Sequence, residues 1–424
     1  MRKYIIHFIL VLFGVVYLKA EADPNTVNLA RAFGRDIFEL NGVPYLQPLV
    51  ETLNATSNSR FFNQAYVPQK VDEPYFRIGA HAMLGFVRND MKTYNPAMPA
   101  EPLDLGKLSQ YFDIFNYTIK DTAGLMYYAL KTILYDGIQK GMINVPKTSA
   151  TILGRQDAVF DLPHKILDSL VRTMSVGGIE IFPKLPKDFQ DSLINTIWRF
   201  PETFTLPPGA DMNTIFAAVP QFEIGALFGT EMLLRFIPPV NMGENIGDFA
   251  FWGIGLKHSV SQYFEERYFD LAVQVVYQGT NLKNKVGVTN SDLRADGTFW
   301  DFNIHASKAF LDDQLNIYAG LSYELFNINS NFTYFIPIET QLKLGLRYGE
   351  WTHPNGSEDS VFVLYDPTPD FPGDTLPQTS NLRITNTNIK FVFGLVYQIG
   401  PVAIFLDYNI SKFNIFTGGI EVRF

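Results

Sequence analysis

Alternate positions of one short segment hold four polar residues of the types used in ester hydrolysis: Asp301, Asn303, His305 and Ser307. Residues two apart on a β-strand point to the same side, so this spacing predicts that all four share one face. A histidine can accept the proton of a serine hydroxyl, which then attacks a carbonyl carbon. Spacing on one strand does not by itself bring His305 into hydrogen-bonding contact with Ser307. The preferred interpretation is therefore a ladder of polar side chains inside a barrel.

A second set of polar residues carries charge opposite the apolar faces of predicted strands. Its basic members are Arg235, Lys343, Arg347, Lys390 and Arg423, and its acidic members are Glu223, Asp270, Asp301, Glu324, Asp407 and Glu421. If the strands close into a barrel, these side chains and His305 line its lumen. They could border a pore and set its ion preference, or pair across the interior and fill it. The sequence leaves both possibilities open.

Other kinds of chemical site are poorly supported by the sequence. Asp366, Asp370 and Asp374 lie in a proline-rich stretch, but their spacing does not match a calcium-binding loop, so solvated turn residues are expected. The 424-residue chain has no cysteine, which excludes disulfides, thiolate zinc sites and thiol nucleophiles. Its net charge of −9, without a basic cluster, argues against a nucleic-acid partner. We predict no catalytic residue, no metal, no cofactor and no enzymatic activity.

Amphipathic strands must position the charged residues. The last one, residues 416–424, places Phe, Gly, Ile, Val and Phe on one face and Gly, Glu and Arg on the other. The same alternation recurs at 269–278, 300–307, 315–324, 341–349, 389–399 and 402–411. A soluble sandwich would also alternate, with its apolar face turned inward. The sequence predicts instead an antiparallel up-and-down transmembrane β-barrel with lipid outside.

Three features favour lipid around the strands. Aromatic residues stand near strand ends, as in the girdles at a membrane interface. The predicted inner faces mix charges of both signs with glycine, which suits a crowded or watery lumen. Tight connections alternate with long ones, as periplasmic turns and outer loops do. The tight connections are 311–313, 400–401 and 411–413, and the long ones are 281–296 and 351–381.

The chain divides into three parts. Residues 1–22 read as a signal peptide for export, with Arg2 and Lys3 before an apolar run and small residues at the cleavage site. Residues 23–73 form an N-terminal lead, with a predicted helix over 25–40, that either plugs the barrel or precedes it. Residues 74–424 form the barrel, interrupted at about 104–213 by a helical insertion.

The number of strands follows from chain length. The first strand is predicted at 76–87, and a spanning strand with its connection takes about 20 residues, which gives about ten more strands after residue 217. An even total between 10 and 14 is expected, and 12 is the best guess. The segment 332–350 is either barrel wall or an outer hairpin.

Several stretches resemble an uncharacterised family of Bacteroidota outer-membrane proteins. They are YLQPLV (45–50), LNATSNSRFF (53–62), FGTEMLLRFIP (228–238) and GIGLKH (253–258). The resemblance implies an N-terminal lead before an outer-membrane barrel, a layout similar to outer-membrane transporters of long-chain fatty acids and aromatic hydrocarbons. The family has no settled function, so the resemblance implies no functional residues. The insertion is longer than the family's norm.

The sequence leaves three functional hypotheses. The first is a monomeric outer-membrane barrel that admits a small solute, hydrophobic solutes included. Phe424 at the end of the last strand resembles the signal read by the barrel-assembly machinery, the expected partner besides outer-membrane lipid. The second is a closed structural or adhesive barrel that binds a partner through its outer loops. The third is a lipid hydrolase, because the His305-x-Ser307 spacing is similar to that of outer-membrane phospholipase A, where the pair faces lipid rather than the lumen.

Overall fold

Antiparallel strands form a closed barrel in this chain. The computed structural model describes residues 22–70, 74–113, 115–156, 158–176, 178–241, 247–286, 291–336, 338–352 and 361–424. Within these ranges ten strands each pair with their neighbours in sequence, and the first also pairs with the last. They are β1 (Tyr75–Phe86), β2 (Thr214–Gly225), β3 (Thr230–Asn241), β4 (Asp248–Ser259), β5 (Asp270–Val286), β6 (Ser291–Phe310), β7 (Leu315–Tyr334), β8 (Gln378–Ile399), β9 (Val402–Ile410) and β10 (Ile415–Arg423). The predicted antiparallel up-and-down barrel is confirmed.

The ten strands fall within the predicted range of 10 to 14, but the best guess of twelve was wrong, because β5 to β8 are 17 to 22 residues long. Strands of that length use chain that the count assigned to further strands. The predicted long connection at 281–296 is also wrong, since β5 and β6 continue in register up to the pair Val286 and Ser291. Of the other predicted long connection, 353–360 lies outside the described residues, as does 1–21 of the predicted signal peptide.

The two ends of the barrel differ in their connections. At one end, here the turn end, short links such as 311–314 and Gly400-Pro401 join the strands. At the other, here the cap end, β1 is joined to β2 through residues 87–213, and β7 to β8 through residues 335–377. The tight connection 411–413 lies at the cap end, so short links are not confined to one side.

Buried and exposed residues alternate along the barrel strands. In β1, Arg77, His81 and Met83 are buried, while Phe76 and Ile78 are 41% and 52% exposed. The outer surface is therefore a band of exposed apolar side chains, and the charges lie inside. Other members of this band are Phe216, Trp252, Leu256, Ile304, Leu321, Ile389, Leu406 and Ile420.

A long helix, α1 (Pro24–Ser57), precedes the barrel. It extends well beyond the predicted 25–40 and continues through Pro44 and Pro48, although each proline lacks the N–H of a helical hydrogen bond. Burial accounts for this, because both halves of the helix are packed. Its first half contributes Phe33 and Ile37 to the core of the cap, and its second half contributes Leu49 and Leu53 to a cluster inside the barrel.

The cap is built from the insertion and the first half of α1. Four helices, α2 (Leu105–Tyr111), α3 (Thr122–Gln139), α4 (His164–Arg172) and α5 (Lys187–Arg199), lie in the insertion. Asp104 and Asp121 begin α2 and α3 by accepting hydrogen bonds from backbone N–H groups three residues on. No described helix has both the length and the apolar character needed to cross a bilayer.

The segment 332–350 is not barrel wall beyond the end of β7 at Tyr334. It contains a short helix, α6 (Ile338–Lys343), a turn, and the strand Gly349–Thr352, which pairs with Val361–Leu364 outside the barrel. The alternation over 341–349 therefore arises from a helical turn and a loop. This corrects the strand predicted there.

Candidate functional site in the barrel lumen

The chain that follows α1 passes through the barrel. Residues 58–67, here the lumen segment, run without regular structure toward the turn end, where Pro68 O accepts a hydrogen bond from Gly229 N at 3.2 Å. An extended backbone buried in this way needs hydrogen-bond partners other than itself. Side chains of the wall provide them. Lys257 Nζ donates to Gln64 O at 2.9 Å, Gln274 Nε2 donates to Phe61 O at 3.0 Å, and Ala65 N donates to Ser307 Oγ at 2.8 Å.

Arg60 is the most heavily engaged residue of the lumen segment. Its guanidinium lies 3.1 Å from Glu421 Oε1 and 3.6 Å from Asp407 Oδ2, and it donates to the hydroxyl of Tyr318. It also lies over the ring of Phe405, 3.6 Å from the centroid. The Arg60 backbone has φ +59°, a left-handed conformation that costs a residue with a Cβ about 1 kcal/mol. The contacts of the side chain compensate for this strain.

Ion pairs within the wall surround the lumen segment. Arg77 donates to Glu223 and lies 3.8 Å from Glu231, Lys257 pairs with Glu231, and Lys390 pairs with Glu324. All these side chains are buried, and a buried charge is tolerated only when it is paired or hydrogen-bonded. We call this half of the lumen, with residues 58–67 at its centre, the polar level.

Arg235 ties the lumen segment to the wall at a second point. Its Nη2 donates to Ser59 O at 2.7 Å and its Nε donates to Gln221 Oε1 at 2.6 Å. The guanidinium also covers the ring of Phe61, 4.3 Å from the centroid. Arg235 therefore extends from the wall to backbone carbonyls of the segment, whereas Arg60 extends from the segment to carboxylates of the wall.

Toward the cap end, the lumen is apolar. Here the second half of α1 packs against β1, β2 and β8. Its buried residues Tyr45, Leu46, Leu49 and Leu53 form one cluster with wall residues, which are Met83, Ile215, Ala217, Val219, Phe251, Leu282, Leu293, Ile328, Ile384 and Ile415. We call this half the apolar level. A polar contact with the wall, from Asn386 Nδ2 to Glu51 Oε1, lies at its edge.

At the turn end, the lumen opens into a cavity of about 640 Å³. Lumen-segment residues Asn63 and Gln64 form its floor, and charged residues of both signs surround it, among them Arg267, Asp270 and Arg423. Arg423 lies over the ring of Tyr75, 4.3 Å from the centroid. Arg77 and Glu421 of the polar level are also among its lining residues.

Partly buried polar contacts join the first half of α1 to the insertion and to the β7–β8 connection. The Tyr127 hydroxyl of α3 donates to Asp36 of α1, and burial together with Asp36 raises the pKa of Tyr127. Arg31 of α1 donates to Asp374, which also accepts from Ile336 N at 2.9 Å. The cap, the β7–β8 connection and the helix that enters the lumen thus form one continuous unit.

Comparison with known protein families decides the classification. A sequence profile of a family of unknown function (DUF6588) matches residues 1–424. The chain belongs to this family. The comparison with curated proteins gives no match. For this DUF6588 member, the match confirms the expectation of a family without an assigned function.

The structure gathers most of the predicted lumen residues of this DUF6588 member. The buried ones are Arg235, Lys390, Glu223, Asp301, Glu324, Asp407, Glu421 and His305. Asp270 and Arg423 lie at the rim of the turn-end cavity instead. Lys343 and Arg347 were predicted wrongly, because they belong to α6 and the turn after it, outside the wall. Lys343 Nζ donates there to Thr203 Oγ1 at 3.1 Å.

The polar ladder on β6 serves the lumen segment. His305 Nδ1 lies 2.9 Å from Asn303 Oδ1, and its ring stacks on Phe62 with 4.3 Å between centroids. The hydroxyl of Ser307 accepts from Ala65 N instead of contacting His305. Among the hydrogen bonds of the described residues, none joins His305 to Ser307. Of the proline-rich loop, Asp374 is used by Arg31, and the described residues contain no group of three His, Asp or Glu side chains that could hold a metal.

Four lumen charges were not predicted: Arg60, Arg77, Glu231 and Lys257. Three of them carry a readable signal, since Arg77, Glu231 and Lys257 alternate with apolar residues along β1, β3 and β4. Arg60 carries none, because it lies on an irregular segment and its carboxylate partners, Asp407 and Glu421, are more than 300 residues away in sequence.

Proposed function

We propose that this DUF6588 member is an outer-membrane β-barrel that takes up an apolar solute at its apolar level, the solute replacing part of the packing between α1 and the wall. The polar level acts as a closed floor. Two physical arguments support the proposal.

The first argument concerns the surroundings of the barrel. The outward band is formed by apolar side chains that are about half exposed, Ile389 reaching 69%. Soluble monomers rarely expose contiguous apolar patches larger than a few hundred Å². In a closed barrel each strand pairs with a neighbour on both sides, which satisfies most of the backbone hydrogen bonds that hydrocarbon cannot supply. Outer-membrane lipid is therefore the solvent that suits this surface.

The second argument concerns the interior, and it carries the proposal. Removing one partner of a buried ion pair costs about 3–5 kcal/mol, so displacing the lumen segment from Glu421 and Asp407 would be expensive. Displacing Leu46 or Leu49 from the wall exposes apolar surface that an apolar solute can cover again. The apolar level can therefore exchange its packing partner at low cost, whereas the polar level cannot.

Binding of a fluorescent apolar probe tests this function. N-phenyl-1-naphthylamine, whose fluorescence rises in apolar surroundings, is titrated into the protein refolded in phospholipid vesicles. We expect saturable binding that palmitate displaces and that Leu49→Arg reduces at least tenfold. Leu40→Arg is the matched control, because Leu40 lies on the same helix but is 46% exposed. Binding equal to that of empty vesicles would refute the proposal.

A second function, a sealed barrel that anchors the cap at the cell surface, is favoured by the pairing of the lumen charges. Each cation named in the polar level lies against at least one carboxylate or carbonyl oxygen. This function predicts no probe binding and no ion conductance from a protein that still folds and inserts into vesicles. Both Leu49→Arg and Leu40→Arg should then behave like the wild type in the titration.

A further inference from the structure

The ladder between β2 and β3 is much shorter than the strands themselves. Both strands have twelve residues, yet between them only Gln221–Ile224 and Met232–Arg235 pair, four residues on each side. On the other side of β2, all twelve residues pair with β1. Among the described residues, the halves of β2 and β3 nearer the cap end, 214–220 and 236–241, form no ladder with each other. We call this unpaired part of the wall the seam.

Prolines are concentrated at the seam. On β2, Pro220 directly precedes Gln221, the first residue that pairs with β3. On β3, Pro238 and Pro239 lie where the ladder with β4 shifts register, between Ile237 and Val240. A proline has no N–H and is tolerated in sheets at edges and bulges. In hydrocarbon, each backbone donor left without a partner costs several kcal/mol. The three prolines remove three backbone donors where β2 and β3 stop pairing, which lowers the cost of the unpaired backbone in lipid.

The seam lies at the apolar level. On its inner side, Ile215, Ala217 and Val219 are buried in the cluster that contains α1, and Ile237 packs against the same cluster. On its outer side, Phe216 and Phe236 are 56% and 61% exposed. Just below the seam, Gln221 and Arg235 close the wall and begin the polar level.

We propose that the seam is a lateral passage through which a single acyl chain moves between the apolar level and the hydrocarbon of the membrane. The proposal deepens the function proposed above and rests on it. A solute in the apolar level cannot continue toward the turn end without separating Arg60 from its carboxylates. Sideways, the side chains that border the seam on its inner and outer faces are mainly apolar, Val219 and Ile237 inside and Phe236 outside among them. Because the ladder below and the strands on either side bound it, a thin, unbranched chain fits it best.

Photo-crosslinking detects the passage independently of transport. A palmitic acid that carries a diazirine near its methyl end is incorporated into vesicles that contain the full-length protein, and the labelled residues are identified by mass spectrometry. We expect labels at Leu46 and Leu49 inside the barrel, besides labels on the outer band. Leu293, which belongs to the same cluster but lies on β6, is expected to be labelled at least fivefold less.

Tying the seam shut separates the passage from an entry at the cap end. The chain has no cysteine, so the pair Phe216→Cys and Val240→Cys across the seam can be joined selectively with a short bis-maleimide. The matched control uses the same Phe216→Cys with Leu84→Cys, its ladder partner on β1. We expect the seam bridge to lower labelling of Leu46 and Leu49 at least tenfold and the control bridge to leave it unchanged.

The outcomes distinguish the two proposals. If Leu46 and Leu49 are labelled equally with and without the seam bridge, the lateral passage is refuted, while uptake into the apolar level stands with its entry at the cap end. If the wild-type protein is labelled only on its outer band and binds no apolar probe, both proposals fall. Labelling of the lumen that only the seam bridge prevents supports both.

Discussion

The two levels of the lumen are filled by consecutive parts of one segment, yet their walls are chemically opposite. At the apolar level the filling is a helix, which satisfies its own backbone hydrogen bonds and so tolerates a greasy wall. At the polar level it is an irregular chain, whose N–H and C=O groups must find partners in the wall. The inward residues change accordingly along single strands. On β2 they pass from Ile215, Ala217 and Val219 to Gln221 and Glu223. The chemistry of the wall thus matches the conformation of the chain that fills the lumen at each level.

The largest effect on stability is expected from removing the charge of Arg60, which joins the lumen segment to the wall. Arg60→Met leaves Glu421 and Asp407 buried with less compensation and deletes the donor to Tyr318. Breaking a buried pair in this way should lower the free energy of unfolding by about 4 kcal/mol. Urea unfolding of the refolded protein in detergent, followed by tryptophan fluorescence, measures the change.

A matched control shows whether burial is responsible for the loss. Arg88→Met removes an arginine that pairs with Asp90 at 2.6 Å, but both side chains are about 60% exposed. An exposed pair contributes about 0–1 kcal/mol, so this variant should remain close to the wild type. Equal losses for the two variants would mean that Arg60 is not held in a closed polar level.

At the apolar level, removing packing should cost slightly less. Leu49 is 1% exposed, and Leu49→Ala removes three buried carbons and leaves a cavity beside the wall. The expected loss is about 3 kcal/mol in the same unfolding measurement. Leu40→Ala, on the exposed side of the same helix, should change stability by less than about 0.5 kcal/mol. If only the apolar level can accept an apolar solute, added palmitate should restore stability to Leu49→Ala but not to Arg60→Met. An equal response of both variants would contradict this difference between the levels.

The barrel was predictable because a strand has a period of two. That period alone placed Glu324, Lys390 and Asp407 inside, since one face of each strand must meet a different solvent from the other. It misled at Lys343 and Arg347, where a short helical turn followed by a loop produces the same alternation. Period also says nothing about strand length, so a count at about 20 residues per strand and connection overestimated the number of strands.

The interior was harder to predict than the wall. The helix α1 continues past Pro44 and Pro48 because tertiary burial outweighs their local cost, and local sequence contains no signal of that burial. The role of Arg60 depends on partners contributed by β9 and β10, which local patterns cannot connect to residue 60. The seam follows from which residues fail to pair, and prolines within a strand are its only trace in the sequence.

The smallest effect is expected where the same charge chemistry lies outside the lumen. In the cap, Glu101 accepts from Lys107 and lies 2.6 Å from Lys131 Nζ. Partial burial raises the pKa of Glu101, but the two lysines outweigh it and leave the pKa below its ordinary value.

A lowered pKa in the folded state means that the ion pairs of Glu101 stabilise the cap at pH values above the pKa of the unfolded chain, about 4.3. This stabilisation is lost as the pH falls through the pKa of the folded state. Glu101→Gln should therefore cost about 0.5 kcal/mol at pH 7 and progressively less as the pH falls below about 4.3. Unfolding of the cap, followed through Trp198 of α5, measures this difference. If the cost did not fall with pH, it would come from packing of the side chain and not from its charge, and Glu101 would no longer serve as the counterpart of the lumen pairs in the cap.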